Sequence, residues 1–437
     1  MEYKLGTLID SVSIRHTFPN EKVVFLNTSD VEDGEVINHQ ETLVRTLPGQ
    51  AKKTIEKDDI LYSEIRPRNK RYAYIDFDAD NYVVSTKLMV LRNKNREILN
   101  SKYLYYYLTS VELVNYLQNL AEARSGTFPQ ITFNELKNIT INLPSIKFQD
   151  SVVKILESLN QKIKSNQNII TNLEELSQTL FKRWFVDFEF PDEDGNPYQS
   201  SGGEMIESEL GEIPQGWEVN QFNYLCHKPI SGDWGKEQMK DNYNKAVRII
   251  RGADINEYNL GGKGKAPIRY ILHKNFINKK IIPGDVVIEI SGGSPTQSTG
   301  RTLLINKKVI ENEAYGLVCT NFCKILRPKN EAYGEWIDYY LKYLYSRNVF
   351  FSYENGTTGI KNLDYKSLLN TMKVIIPAEQ LLLKFHELIS IYKTAIQNLG
   401  NEIQKLIELR DTLLPKLMSG ELEILDEIGV DGDALSI

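Results

Sequence analysis

The densest run of chemically capable side chains is Arg66-Pro-Arg-Asn-Lys-Arg71. A guanidinium offers two parallel N–H groups that match a phosphate or the O6/N7 edge of guanine. Arg66, Arg68, Lys70 and Arg71 are therefore candidate nucleic-acid contacts, although the run also reads as an ordinary solvated loop. A second cluster holds Lys263, Lys265, Arg269, His273 and Lys274. The segment 291–301, SGGSPTQSTGR, is small and polar, with Gln297 and Arg301 able to reach base edges; it too reads as a plain loop. Phosphate contacts outnumber base contacts in such interfaces, and a sequence does not separate the two.

No catalytic motif accompanies these cations. The chain has no GxxxxGK[ST] phosphate loop and no Asn/Asp-Pro-Pro-aromatic tetrapeptide of the kind amino-methyltransferases place against a base. Gly261-Gly-Lys-Gly264 lies in a polar stretch without the strand and helix a dinucleotide turn requires. The histidines at 16, 39, 227, 273 and 386 are scattered. Cys226 beside His227 reads as a small buried thiol next to a surface imidazole. Cys319 and Cys323 share one face of an expected strand, which favours packing over zinc, since no second Cys or His pair completes a site. Three cysteines are too few for a disulfide framework. The reading is non-catalytic and metal-free, with a nuclease or methyltransferase of degenerate site as a distant rival.

The elements that must hold these loops are legible. β-Branched and aromatic residues dominate 22–27, 59–65, 72–77, 82–92, 247–251, 268–272, 285–290, 301–305 and 317–327, which are expected as strands. Helices are expected at 101–122 and 334–347. Two far longer helical patterns follow Pro144, running to about Arg183, and Pro377, ending near Pro415. The first carries Val152, Leu156, Leu159, Ile163, Ile170, Leu173, Leu176, Leu180 and Trp184 at steps of mostly three or four. The second carries Phe385, Ile389, Tyr392, Ile396, Leu399, Ile403, Leu406, Leu409, Leu413 and Leu417. Each stripe is the seam of a paired helix. At 1.5 Å per residue each helix would run roughly 55–60 Å, and each is the other's obvious partner.

The two helices match at a shift of 233 residues without a gap. Pro144 falls on Pro377, Ile163 on Ile396, Ile170 on Ile403, Leu173 on Leu406, Glu175 on Glu408, Leu176 on Leu409, Thr179 on Thr412 and Leu180 on Leu413. A shared heptad could repeat the leucines; it would not repeat the proline, the Glu and the Thr. Upstream, Tyr103–Leu108 falls on Trp336–Leu341 at the same shift. Val90-Leu-Arg92 falls on Ile325-Leu-Arg327, and Asp59-Ile-Leu61 looks equivalent to Asp285-Val-Val287. The chain is one plan written twice, a domain followed by a helix.

Charge is distributed unevenly. The 437 residues carry a net −6, yet residues 186–217 hold nine acidic side chains and no basic one, and 421–437 hold six and none. What remains carries 52 basic against 43 acidic side chains, so the body of the protein is basic despite its acidic total. The expected organisation is α+β: a first domain at 1–144, a long helix at 145–185, an acidic flexible linker at 186–214, a second domain at 215–377, a long helix at 378–418 and an acidic tail at 419–437. No apolar run approaches a membrane span and the first residues do not read as a secretory signal, so a cytoplasmic protein without a membrane partner is expected.

Several segments together resemble one family. Ser208–Trp217, SELGEIPQGW, looks like the opening of the second recognition domain in the specificity subunits of Type I restriction-modification systems. Leu180–Phe188, LFKRWFVDF, resembles the end of that family's central conserved helix, and Leu413–Gly420, LLPKLMSG, the end of its distal one. Gly126 and Thr127 with Pro144, and Gly356 and Thr357 with Pro377, resemble the two domain-to-helix junctions. The second junction reads Gly-Thr-Thr-Gly-Ile where the first has Gly-Thr-Phe-Pro-Gln, so it departs from the pattern.

The resemblance implies two mixed α/β target-recognition domains separated by two long antiparallel helices, with Leu156, Ile163, Ile170, Leu173, Leu180, Ile389, Ile396, Ile403, Leu406 and Leu413 in the seam. Each domain would read half of a bipartite, asymmetric site in double-stranded DNA. Helices and junctions would recruit two adenine-N6 methyltransferase subunits, which can recruit restriction subunits. S-adenosylmethionine, ATP and magnesium would then belong to those partners, with no cofactor or metal on this chain. A duplicated chain carries the pseudo-two-fold symmetry of duplex DNA, with half-sites about 34 Å apart as for other two-fold readers. The alternative reading is a coiled-coil scaffold whose globular ends bind protein and not DNA.

Overall fold

β-Branched runs become strands close to where their composition puts them, except that 82–92 and 317–327 each break at a turn into two strands of different sheets, which puts Cys319 and Cys323 on separate strands, and the proline-preceded apolar stripes become helices. A computed structural model describes residues 1–124, 128–294, 296–330, 332–356 and 360–422. The chain divides into two compact units: Met1–Gln161 with the residues from Ile407 onward, and Lys162–Leu406. Each unit combines one globular domain with parts of both long helices.

In the first unit, β1 (Glu2–Lys4), β2 (Ile9–Val12), β3 (Lys22–Leu26), β4 (Glu41–Leu43), β5 (Ala51–Thr54), β6 (Ile60–Ser63), β7 (Tyr72–Tyr74), β8 (Tyr82–Ser85) and β9 (Leu88–Asn93) precede two helices, α1 (Ser101–Leu108) and α2 (Val111–Arg124). One sheet has the order β4-β3-β8-β5, with β3 and β8 parallel, and the other runs β2-β9-β6-β7, antiparallel throughout. A closing strand, β10 (Thr140–Asn142), pairs with β1 just before the long helix α3 (Ile146–Phe185). Asn100 caps α1 by accepting from the amides of Lys102 and Tyr103. Buried Gln149, on the first turn of α3, donates to the carbonyls of Ile98 and Pro144 and accepts from the Asn100 amide, which ties the helix start to the domain.

The second unit repeats this plan. After β11 (Met205–Ser208) and β12 (Gly211–Pro214) come β13 (Glu218–Gln221), β14 (Ile230–Ser231), β15 (Tyr243–Ile250), β16 (Ile268–Leu272), β17 (Val286–Glu289), β18 (Thr302–Leu304), β19 (Gly316–Cys319), β20 (Cys323–Leu326) and α4 (Tyr333–Ser346). The antiparallel sheet β14-β20-β17-β18 has the strand order of β2-β9-β6-β7, and β15 and β19 are parallel as β3 and β8 are. β13 pairs with β21 (Lys373–Ile376) ahead of α5 (Glu379–Ser419), as β1 pairs with β10 ahead of α3. The duplication is thus one of topology.

Contacts within each unit show the long helices to be antiparallel. In the first unit Asn160 meets Arg410 (3.2 Å), and Val152 and Leu156 share a core with Leu413 and Leu417. In the second, Glu402 meets Lys162 and Asn166, Lys393 meets Glu174, and Phe385 packs on Phe181 and Trp184. Gly261, at φ +80°, comes so close to Gly400 of α5 that a Cβ on Gly400 would lie 2.4 Å from its carbonyl carbon. Gly261 therefore serves packing against α5.

Three expectations are corrected. The second long helix runs to Ser419, one residue past the expected 418, with Pro415 inside it, whereas the apolar stripe suggested an end near the proline. Proline removes one helix hydrogen bond, and Leu417 and Met418 beyond it pack into the first unit's core. The acidic stretch 186–214 is not an unstructured linker: β11 and β12 form an antiparallel hairpin, and Phe188, Phe190 and Tyr198 make an aromatic stack with Trp217. Its acids line the surface while its aromatics supply the core that a charge count overlooks. Finally, Leu176 and Leu409 do not lie in the seam: they are 48% and 47% exposed. Leu156, Ile163, Ile170, Ile389, Ile396 and Ile403 are buried, and Leu173, Leu180, Leu406 and Leu413 partly so.

Candidate nucleic-acid interface

The first basic loop joins β6 to β7. Arg66 and Lys70 both adopt left-handed backbone (φ 44° and 53°) around a one-turn helix at Pro67–Asn69, a conformation that costs a side-chain-bearing residue free energy. Tertiary contacts hold it. The Arg66 amide donates to the Pro129 carbonyl, and the Arg68 amide donates to the side chain of Gln118. Three of the four cations are engaged by the domain itself. Arg68 donates to Asn115, Lys70 pairs with Asp33 (3.1 Å), and Arg71 donates to the carbonyls of Ser29 and Val31 and pairs with Glu32. Among the described residues only Arg66 of the four has no side-chain partner, and it is exposed.

The equivalent loop of the second domain joins β17 to β18. Gln297 is exposed there. Arg301 is not available to bases: it forks onto Glu289 through Nε–Oε2 (2.9 Å) and Nη2–Oε1 (2.7 Å), both side chains largely withdrawn from water. Its pairing with Glu289, set against the cost of burial, holds the guanidinium pKa above its ordinary value. Gln297 and Arg301 face a cavity of about 320 Å³ that Asn256, Asn259, Lys342 and Glu174 also line.

The other basic candidates are dispersed. Lys263 donates to the Asn312 carbonyl (2.6 Å). Arg269, on β16, is buried beneath Trp234 (4.2 Å to the ring centre) and pairs with Glu237. Lys265 and Lys274 are exposed, and no side-chain partner is found for them among the described residues. Cys226, Cys319 and Cys323 are buried thiols, with burial raising the pKa of Cys226 to about 11 and of Cys323 to about 12. Gly126, Thr127 and Thr357 lie outside the described residues, as does most of the expected tail; Gly356 is described and sits at φ +146°.

Sequence reasoning missed a buried ionic cluster. Glu174 of α3 accepts from Lys342 (2.9 Å) and Lys393 (2.8 Å), and Lys342 also pairs with Asp338 (3.0 Å). Burial alone would raise the Glu174 pKa; the two ammonium groups outweigh it and hold the carboxyl below its usual range. Along the helix Glu174 looks like any polar position, and only α4 and α5 make it a buried anion.

The helices carry one more duplicated feature. Glu175, Leu176 and Thr179 recur as Glu408, Leu409 and Thr412, and all six are exposed. Thr179 lies four residues from Glu175 and three from Leu176, so it neighbours both on the helix surface, as Thr412 does Glu408 and Leu409. Among the described residues, no contact accounts for an identical exposed triplet in both copies.

The sequence model described as the Type I restriction modification DNA specificity domain matches residues 12–175. The specificity subunit of the Type I restriction enzyme HindI, from Haemophilus influenzae, is 30% identical over an alignment of 473 residues, covering 96% of this chain and 99% of that one. The MjaIX specificity subunit of Methanocaldococcus jannaschii is 24% identical, covering 74% of this chain and 69% of its own. The crystal structure of the Type I S subunit from M. genitalium shares the fold, with a TM-score of 0.50 at 16% identity over 95% of both chains. With its doubled strand order and paired long helices, the chain belongs to the specificity subunits of Type I restriction-modification systems.

Proposed function

We propose that this chain reads a bipartite, asymmetric site in double-stranded DNA, one half by each globular domain, and itself performs no chemistry. The observation that carries this reading is the doubled domain. Strand order and closing strands repeat between the copies, while the loops differ: Arg66–Arg71 in the first corresponds to a Ser/Gly-rich segment in the second. A shared scaffold with divergent loops suits one task applied to two different sequences.

The duplicated exposed triplet supports recruitment of one protein twice. In this reading two adenine-N6 methyltransferase subunits dock on the helices, and ATP-dependent restriction subunits join through them. S-adenosylmethionine, ATP and magnesium then act on those partners. No helix among the described residues is long and apolar enough to cross a membrane, and the assembly is proposed to work in the cytoplasm.

The test is to co-express the chain with the methyltransferase of its own system and sequence the methylated DNA. One motif with two specified blocks and an unspecified spacer is expected. Equal, weak binding to every duplex at physiological salt would defeat the proposal. Turnover by the isolated chain with DNA, metal and S-adenosylmethionine would defeat its non-catalytic part.

A further inference from the structure

The second domain holds a segment that the basic-cluster argument passes over. Residues 232–242, GDWGKEQMKDN, connect β14 to β15. Their first half is pinned. The Asp233 amide donates to the Cys319 carbonyl (2.8 Å), and Lys236 exchanges two 2.9 Å backbone bonds with Tyr270 on β16. Gly235 lies at φ +59°, where a Cβ would come 2.5 Å from the Tyr270 carbonyl oxygen. Beyond Lys236 the strap projects: Glu237 to Asn242 are all exposed, and Met239 is 66% exposed. Trp234, 39% exposed, lies over the Arg269 guanidinium.

Cations flank the strap. Lys324 donates to the Ser231 hydroxyl (2.7 Å) and Lys279 to the Gly232 carbonyl (2.9 Å), so both ammonium groups sit at its foot; Lys279 is paired there with Asp233 (3.6 Å), while exposed Lys366 interacts with Lys324. Burial, and then the charges of Lys279 and Lys366, lower the Lys324 pKa, while the Cys319 thiol works the other way. Like charges gathered on one edge repel, and an incoming phosphate converts that repulsion into attraction.

The first domain also ties down the strap ahead of its parallel strand, but on the opposite edge of the sheet, to β5 beside β8 and not to the partner of β3. Its strap from β2 to β3 is tied to β5 by a bridge between Arg15 and Lys53. Backbone bonds join the His16 amide to the Lys52 carbonyl and the Thr54 amide to the Ile14 carbonyl. Beside Arg15, Ile14 is 52% exposed.

We propose that this strap is the base-reading segment of the second domain: Lys324 and Lys366 hold phosphates at its foot, while Gln238 and Met239 at the tip meet base edges. The inference rests on the DNA-reading function and assigns it to residues. A fixed backbone carrying an amide, an apolar side chain and flanking lysines supplies base-edge hydrogen bonds, methyl contact and phosphate anchoring together.

The experiment uses the full chain assembled with its methyltransferase subunits, reading the methylated motif and the affinity for that duplex across a salt series. Gln238→Ala and Met239→Ala should relax or change one half of the motif, leave the other half intact, and weaken cognate binding roughly 10- to 100-fold. Lys366→Ala should weaken binding to all duplexes alike and reduce the slope of log K against log salt by about one. All three side chains are exposed, and melting temperatures check that the fold is kept. An unchanged motif with affinity within about twofold for both tip variants overturns the assignment. So does a motif that changes with Gln297→Ala and not with the tip variants, which places reading in the Ser/Gly-rich loop. A wild-type complex without sequence preference defeats the DNA-reading function itself, and the strap assignment with it.

Discussion

Arg92 lies side-on against Asp59, with Nε–Oδ1 and Nη2–Oδ2 both 2.8 Å and the carboxylate 1% exposed; Arg327 grips Asp285 with the same two bonds at the same distances. In each domain this pair staples the start of one central strand to the end of its neighbour. Removing one partner leaves a buried charge alone, at a cost of about 3–5 kcal/mol. Arg327→Ala should lower the stability of the chain by that order in a denaturant titration. A loss below about 1 kcal/mol would show that water reaches Asp285 more easily than its burial implies.

Glu174 should impose a pH dependence. Glu174→Gln keeps the shape and removes the charge that Lys393 and Lys342 face, so a loss of about 3 kcal/mol at neutral pH is expected. The folded-state pKa of Glu174 lies below its unfolded value of about 4.3, so its contribution is complete above that pH and is lost as pH falls toward the folded pKa. The gap in melting temperature between wild type and variant should be flat from about pH 8 to pH 5 and should narrow below about pH 4. A gap that widens on acidification contradicts the assignment.

The exposed triplets separate docking from folding. Leu176→Asp and Leu409→Asp each touch a side chain about half in water, and either change alone should shift stability by no more than about 0.5 kcal/mol. Each should cost binding of one methyltransferase copy, and the double variant should bind none. Mass measurement of the assembled complex reads this directly. Full assembly of the double variant would remove the triplets from the interface.

The β6–β7 loop divides into an exposed cation, Arg66, and a structural one, Arg71. Arg66→Ala should leave the melting temperature unchanged and reduce the salt slope of DNA binding by about one. Arg71→Ala strips the donor from the carbonyls of Ser29 and Val31 and should cost about 1–2 kcal/mol of stability. If both variants lose affinity equally without destabilisation, Arg71 also faces DNA.

Pro415 offers a test of packing against propensity. An interior proline costs an α-helix up to about 3 kcal/mol relative to alanine. Pro415→Ala should therefore raise the melting temperature, since Leu417 and Met418 already hold the last turn in place. A lower melting temperature would mean that the first unit's core requires the proline's own geometry.

The strands, the two long helices and the doubling were legible because each rests on local or periodic information. β-Branched runs fix extended backbone, a proline followed by a three-four stripe fixes a helix, and identical residues at a constant shift fix a repeat. Even the fragments Asp59–Leu61 and Val90–Arg92, matched to their second copies at different offsets, marked real equivalents. What joins them, the Asp–Arg fork, emerges only once two strands lie side by side.

Facing was decided by tertiary structure. Leu176 and Leu409 continue the apolar stripe, yet the partner helix covers their neighbours and leaves them in water. Arg301 and Arg66 occupy corresponding loops, yet a buried glutamate turns one inward while the other stays exposed. Phe188, Phe190 and Tyr198 lie in an acidic run whose charge suggests a linker, yet Phe188 and Phe190 pack on Trp217 and Tyr198 stacks on Phe190. Composition and period specify which groups a segment carries. Which of them meet solvent, and so a ligand, depends on the charges and rings that distant segments bring against them.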